Sequence, residues 1–129
     1  MEPEKPENLI ASSVLDESFR VHSELGPGLL ESVYEQVLAL RLSKAGHRVE
    51  VQKPIAITVD GLTIPDAFRA DLVIDDLLII ELKSVEQMKP VFAKQLLTYL
   101  RLSGLRLGLL MNFGASRLKD GIQRITNNL

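Results

Sequence analysis

Two carboxylates and a lysine stand where the sequence otherwise demands burial. The segment from Arg69 to Lys83 reads as two short apolar runs, residues 70–74 and 78–83, joined by Asp75-Asp76-Leu77, and it carries Asp71, Glu81 and Lys83 in the spacing D-x9-E-x-K. An ionised carboxylate in a low-dielectric interior is costly unless it is paired, hydrogen-bonded or bound to a metal. The pattern therefore points to a metal-dependent site, and phosphodiester cleavage by divalent metals needs these groups. Taken alone, so short a pattern serves equally well for a charge-compensated cluster at the end of a sheet.

Strand geometry turns this into a test of register. Residues two apart point the same way, so Glu81 and Lys83 share a face about 7 Å apart. A two-residue loop, Asp75-Asp76, would put Asp71 opposite Ile80 and on the wrong face. A three-residue loop, Asp75 to Leu77, puts Asp71 opposite Glu81 and Ile74 opposite Leu78. The longer loop, or a bulge of equal effect, is expected, with Asp75 and Asp76 as plain turn residues.

The elements that must carry these residues follow from periodicity. Apolar positions at helical spacing predict helices over residues 7–24, broken by Gly26-Pro27-Gly28, and 29–45, with Gly46 placed for a left-handed termination. Period-two alternation predicts a strand over 49–59, closed by the tight-turn pair Asp60-Gly61. Residues 62–67 are less regular, with Pro65 limiting their part in a ladder. After the hairpin come a helix over 88–103 and a fully buried strand over 107–113, an order that implies a parallel crossover. The tail, 115–127, carries helical spacing weakened by Gly121, with a short edge strand as the alternative.

Composition bounds the rest. A chain of 129 residues with 46% hydrophobic content suits one α/β domain, residues 8–129, behind a polar, flexible lead-in over residues 1–7. With no cysteine there is no disulfide and no thiolate metal site, which fits a reducing cytoplasm. Any metal must be held by oxygen or by His22 and His47, whose separation gives no ligand spacing, so both are expected to be solvent-facing or structural. No run approaches the roughly 20 apolar residues of a membrane helix, and the first residues lack the order of a signal peptide. A net charge of −2 argues against a protein that coats nucleic acid nonspecifically.

Several separated motifs together resemble a known family. Gly28-Leu29-Leu30-Glu31-Ser32-Val33-Tyr34 matches the signature of the GxxExxY family, a group placed in the PD-(D/E)XK nuclease superfamily. The likeness continues through Asp71, Glu81 to Val85, Gln95 to Leu100 and Gly108 to Gly114. It implies a restriction-endonuclease-like α-β-β-β-α-β core with a mixed central sheet flanked by helices. It departs at Phe92, where many relatives have histidine, and at Ala70, where the superfamily's name has proline.

The resemblance implies a nuclease using Mg²⁺, with Mn²⁺ as a substitute. Asp71, Glu81 and the backbone carbonyl of Leu82 would be inner ligands, and Glu31 would bind through water or at a second ion. Glu31 also suits the positive end of its helix, and Glu35, one turn on, is the alternative acid. Lys83 would orient the attacking water or stabilise the transition state, and Gln95 would face the sheet and hydrogen-bond water or phosphate, or be a buried structural amide. Arg69, Tyr34 and Tyr99 are assigned to substrate contact, Arg69 having a surface ion pair and Tyr34 a core position as the alternatives. The implied partner is nucleic acid, DNA favoured over RNA, with a homodimer left open and no membrane. The competing reading is a non-catalytic nucleic-acid-binding or assembly module that keeps the fold.

Overall fold

The computed structural model describes residues 3–129. Among these, three helices pack on a five-stranded sheet. Helix α1 (Pro6–Leu25) opens on a proline, whose missing N–H and fixed φ suit the first helical turn. It thereby absorbs Pro6 and Glu7 from the expected lead-in, and Glu7 is buried; Met1 and Glu2 lie outside the described residues. Helix α2 (Glu31–Lys44) buries the stripe Tyr34, Leu38 and Leu42. Its end is the expected left-handed stop. Gly46 sits at φ 97°, and the N–H groups of Gly46 and His47 donate to Ser43 O and Leu42 O at 3.0 and 3.1 Å.

The strands β1 (Val49–Val59), β2 (Leu62–Ile74), β3 (Leu78–Lys83), β4 (Leu107–Asn112) and β5 (Ile122–Thr126) lie side by side in chain order. All neighbours are antiparallel except β3 and β4, which are parallel because helix α3 (Pro90–Ser103) crosses between them. Helices α1 and α2 cover one face of the sheet with Val14, Val21, Tyr34 and Leu38. On the other face α3 packs Leu96 and Leu100 onto Val73, Ile79 and Leu110. The run α2-β1-β2-β3-α3-β4 is the expected core order, with α1 and β5 added to it.

Two segments differ from expectation. Residues 62–67 are not a separate irregular piece but the start of β2, which runs unbroken to Ile74. The irregularity is confined to a bulge: the register steps between Ile55↔Phe68 and Ile57↔Ile64, leaving Pro65, Asp66 and Ala67 to face one β1 residue. The tail takes the strand alternative, a 3₁₀ turn over Leu118–Gly121 leading into β5.

Both histidines are structural. His22 Nε2 donates to Ala115 O at 2.8 Å. His47 links Ser13 Oγ, 2.7 Å from Nε2, to Asp75 Oδ2, 2.6 Å from Nδ1, and Asp75 Oδ1 also accepts the Arg48 N–H. The order Ser–His–Asp is that of a nucleophilic triad. Ser13 lies mid-helix, however, where backbone N–H groups are spent on the helix and none is free to hold an oxyanion. The chain is a clasp between α1, the α2–β1 turn and the β2–β3 turn.

Beyond β3 the backbone is packed too closely to admit a side chain at Gly114. A Cβ there would lie 2.6 Å from Val85 O and 2.7 Å from Val85 N. Gly114→Ala is therefore expected to destabilise the protein by about 1–3 kcal/mol, an overpacking cost relieved only by backbone movement. Urea unfolding measures it, and an unchanged midpoint would contradict this packing.

Candidate active site

A matched irregularity in β1 and β2 creates the site. Val51 pairs with Leu72 and Lys53 with Ala70, but Gln52 and Asp71 between them drop out of the ladder. Gln52 has φ 50°, a left-handed conformation that an L side chain seldom takes within a strand. The alternation of faces inverts there. Ala70 and Val73, three apart, both pack on the α3 side, whereas Leu72 and Ile74 pack on the α1/α2 side. Their partners Lys53 and Glu50 likewise share a face and are ion-paired at 3.1 Å.

At this pivot β2 also parts from β3. The ladder is regular from Ile74↔Leu78 to Leu72↔Ile80, with the three-residue turn that the register argument requires. Beyond it, carboxylates replace backbone. The Leu82 N–H donates to Asp71 Oδ2 at 2.9 Å, and the Asp71 N–H donates to Glu81 Oε1 at 3.3 Å. The Gln52 amide donates to Asp71 Oδ1 at 3.1 Å and to Glu35 Oε1 at 2.6 Å, tying α2 to the pivot. Asp71 and Glu81 thus come together as expected, held in the opening between two strands.

The electrostatics follow from that placement. Glu81 is only 9% exposed, and burial, reinforced by the charge of Asp71 beside it, pushes its carboxyl up to about 9. Glu31, at the first position of α2, is exposed to solvent yet also raised, by desolvation first and then by Asp71, with Lys83 opposing. Glu35 is raised by desolvation, against the hydrogen bond from Gln52. Glu31, Glu35, Gln52, Asp71 and Leu82 line one open cleft of about 390 Å³, completed by Leu30 and Ser32. Lys83 shares the α3 face with Glu81, and its ammonium rests 4.3 Å from the centroid of the Phe92 ring.

The surrounding frame uses residues that the motif reading passed over. The buried Asn112 amide accepts from Val85 N and Gly114 N and donates to Val85 O, while Phe113 N–H donates to Lys83 O at 2.8 Å. Ser84 Oγ donates to Leu29 O, linking the end of β3 to the loop before α2. Gln52 itself had no sequence signal. A glutamine between Val51 and Lys53 reads as an outward polar residue, and only its backbone φ betrays the pivot.

Two expected site residues are corrected. Tyr34 takes the core alternative and not the cleft wall: it is fully buried, stacked on Phe113 at 4.7 Å, with its hydroxyl donating to Gly26 O and accepting from Leu29 N–H. It holds the loop that delivers Glu31. Gln95 neither faces the sheet nor is a buried amide; it is exposed, because Leu96 and Leu100 take the inward stripe of α3. Arg69 is exposed beside Asp66, 3.8 Å away. Tyr99 is half-buried, stacked on Phe68 at 4.1 Å, and its hydroxyl pKa is raised by burial and by Glu81 and Asp71.

A family model described as the PD-(D/E)XK nuclease superfamily matches residues 8–125. The chain belongs to the PD-(D/E)XK nuclease superfamily. No curated protein and no solved structure matches it. The superfamily's divalent metal can be tested against the donors on hand. Among the described residues no three His, Cys, Asp or Glu side chains converge as a closed cage. What is present among the described residues is two adjacent oxygen donors, Asp71 and Glu81, mutually repulsive when ionised. A hard cation that keeps several waters and takes one or two carboxylates fits that set.

Glu81 makes metal-free stability depend on pH. Its folded pKa, about 9, lies above the ordinary value of 4.5, so folding takes up a proton between the two. The stabilisation is complete at low pH and is lost as pH rises through that window. Urea midpoints in chelator are expected to fall from about pH 6 to 9 in wild type. In Glu81→Gln they should fall less; equal slopes would contradict the assignment.

Proposed function

We propose that this protein is a divalent-metal-dependent nuclease of the GxxExxY type, hydrolysing phosphodiester bonds in nucleic acid, with DNA favoured over RNA. The observation that carries the reading is the pair Asp71–Glu81 in the strand opening, with Lys83 on the Glu81 face and a solvent-open cleft at Asp71. Asp71, Glu81 and the Leu82 carbonyl would hold Mg²⁺ or Mn²⁺, with Glu31 reaching it through water. When bound, such an ion supplies Lewis-acid polarisation of the phosphate and lowers the pKa of water.

The protein's own groups do the rest. Gln52 and the Leu82 N–H fix both oxygens of Asp71, so its orientation needs no rearrangement during reaction. Lys83 offers a compact positive charge to the attacking water or the developing phosphorane, swinging from Phe92 over a flexible stem. Tyr99 stands on the Asp71–Glu81 side of α3, and the exposed Arg69 would exchange Asp66 for phosphate oxygens at the rim. None of these groups is arranged to read bases, so shape or ends would govern substrate choice.

One observation favours a second reading, a nucleic-acid-binding scaffold without catalysis: Lys83 rests on Phe92 rather than on a carboxylate. Cleavage of labelled duplex DNA, single-stranded DNA and RNA separates the two. Cutting is expected with Mg²⁺ or Mn²⁺ and not with chelator, and to fall by about 10²-fold or more in Asp71→Ala and in Lys83→Ala. Absence of cutting by folded, metal-supplied wild type would favour the scaffold.

A further inference from the structure

Leu30 stands where the helix it precedes calls for a polar residue. It is the N-cap of α2, where Ser, Thr, Asp or Asn would accept from a free N–H of the first turn, and the helix has no side-chain cap. It is also 75% exposed, more than any other large apolar side chain among the described residues. Neither burial nor capping accounts for a leucine there.

The loop holds this side chain at a fixed place. The Leu29 N–H donates to the Tyr34 hydroxyl at 3.1 Å, Leu29 O accepts from Ser84 Oγ at 2.6 Å, and Leu30 O accepts from the Val33 N–H at 3.0 Å. That place is the ridge between two hollows. On one side lies the cleft of about 390 Å³ that contains Asp71. On the other lies a hollow of about 300 Å³, where Leu29, Leu30 and Val85 meet the carboxylates of Glu31 and Glu86. Leu30 and Glu31 line both, so one extended ligand can occupy the two at once.

Charge says which part of a ligand enters the second hollow. Among the described residues it is lined by two carboxylates and by no lysine or arginine, so it repels phosphate and accepts an uncharged group. A nucleotide chain with its phosphate at Asp71 carries such a group beside it, the neighbouring base. On the nuclease reading above, we propose that Leu30 is a wedge that seats one unpaired base, next to the scissile phosphate, against itself and Val85, and so directs the enzyme to single-stranded nucleic acid. A base within a duplex is stacked and paired and must be extruded before it can enter, a cost that a single strand avoids. Aliphatic side chains meet a base on its face, and every base has one, so the wedge selects strandedness and not sequence.

Cleavage of a labelled single strand and of the matching blunt duplex in Mg²⁺ tests this with Leu30→Ser and Leu30→Met. Wild type is expected to cut the single strand roughly tenfold faster or more. In Leu30→Ser that preference should collapse, the single strand slowing about tenfold more than the duplex, while the melting temperature holds or rises because serine supplies the missing cap. Leu30→Met, apolar and flexible, should restore the preference. Equal cutting of both substrates by wild type, an intact preference in Leu30→Ser, or an equal slowing of both substrates would overturn the proposal. If wild type cuts neither, the nuclease reading fails on its own account, and the same single strand carrying 2-aminopurine still tests the wedge. Its fluorescence should rise as wild type unstacks the base and stay flat with Leu30→Ser; the same response to both proteins would overturn the proposal.

Discussion

The parting of β2 from β3 just past Leu72↔Ile80 is the constraint on which the site depends. A continuing antiparallel ladder would join β2 to β3 by backbone alone. Instead, the Glu81 carboxylate takes the Asp71 N–H and the Asp71 carboxylate takes the Leu82 N–H. The strands are held apart by the acidic side chains that need the space. Gln52 makes this geometry possible, because its left-handed backbone lets β1 follow β2 through the inversion of faces while its amide bridges Asp71 and Glu35. Such local strain persists only where the surroundings over-determine it, and here two ladders and two carboxylates do so.

Everything around the opening keeps it fixed. The parallel pairing of β3 with β4 and the Asn112 amide hold the far side of Glu81 and Lys83. On the α2 side, Tyr34 is spent on positioning: its ring is buried on Phe113 and its hydroxyl ties Gly26 to Leu29. Through Ser84 and Leu29 the two halves of the frame meet. A tyrosine, an asparagine and a serine thus govern where three carboxylates stand, although none of them enters the cleft as a reactive group.

The sequence made the fold legible wherever side-chain period decided it. The period-two runs gave the strands, Gly46 gave a helix end, and counting residues across Asp75-Asp76-Leu77 gave the register that unites Asp71 with Glu81. It failed where phase or backbone conformation decided. Placing Gln95 on the inward stripe of α3 required the helix phase to within one residue, and Leu96 and Leu100 take that stripe instead. Tyr34 carried both a core and a contact reading, because an amphipathic ring satisfies either until its hydroxyl partner is known. Gln52 had no signal, since nothing in a Val-Gln-Lys run marks a positive φ.

The central claim is that the opening between β2 and β3 is a divalent-cation site built on Asp71 and Glu81. The most direct test is calorimetric titration of Mn²⁺ and Mg²⁺ into metal-free wild type and Asp71→Asn, with unfolding melts run in parallel. The account predicts saturable binding by wild type that is lost in a still-folded Asp71→Asn. Absence of binding by folded wild type, or equal binding by the variant, would contradict it.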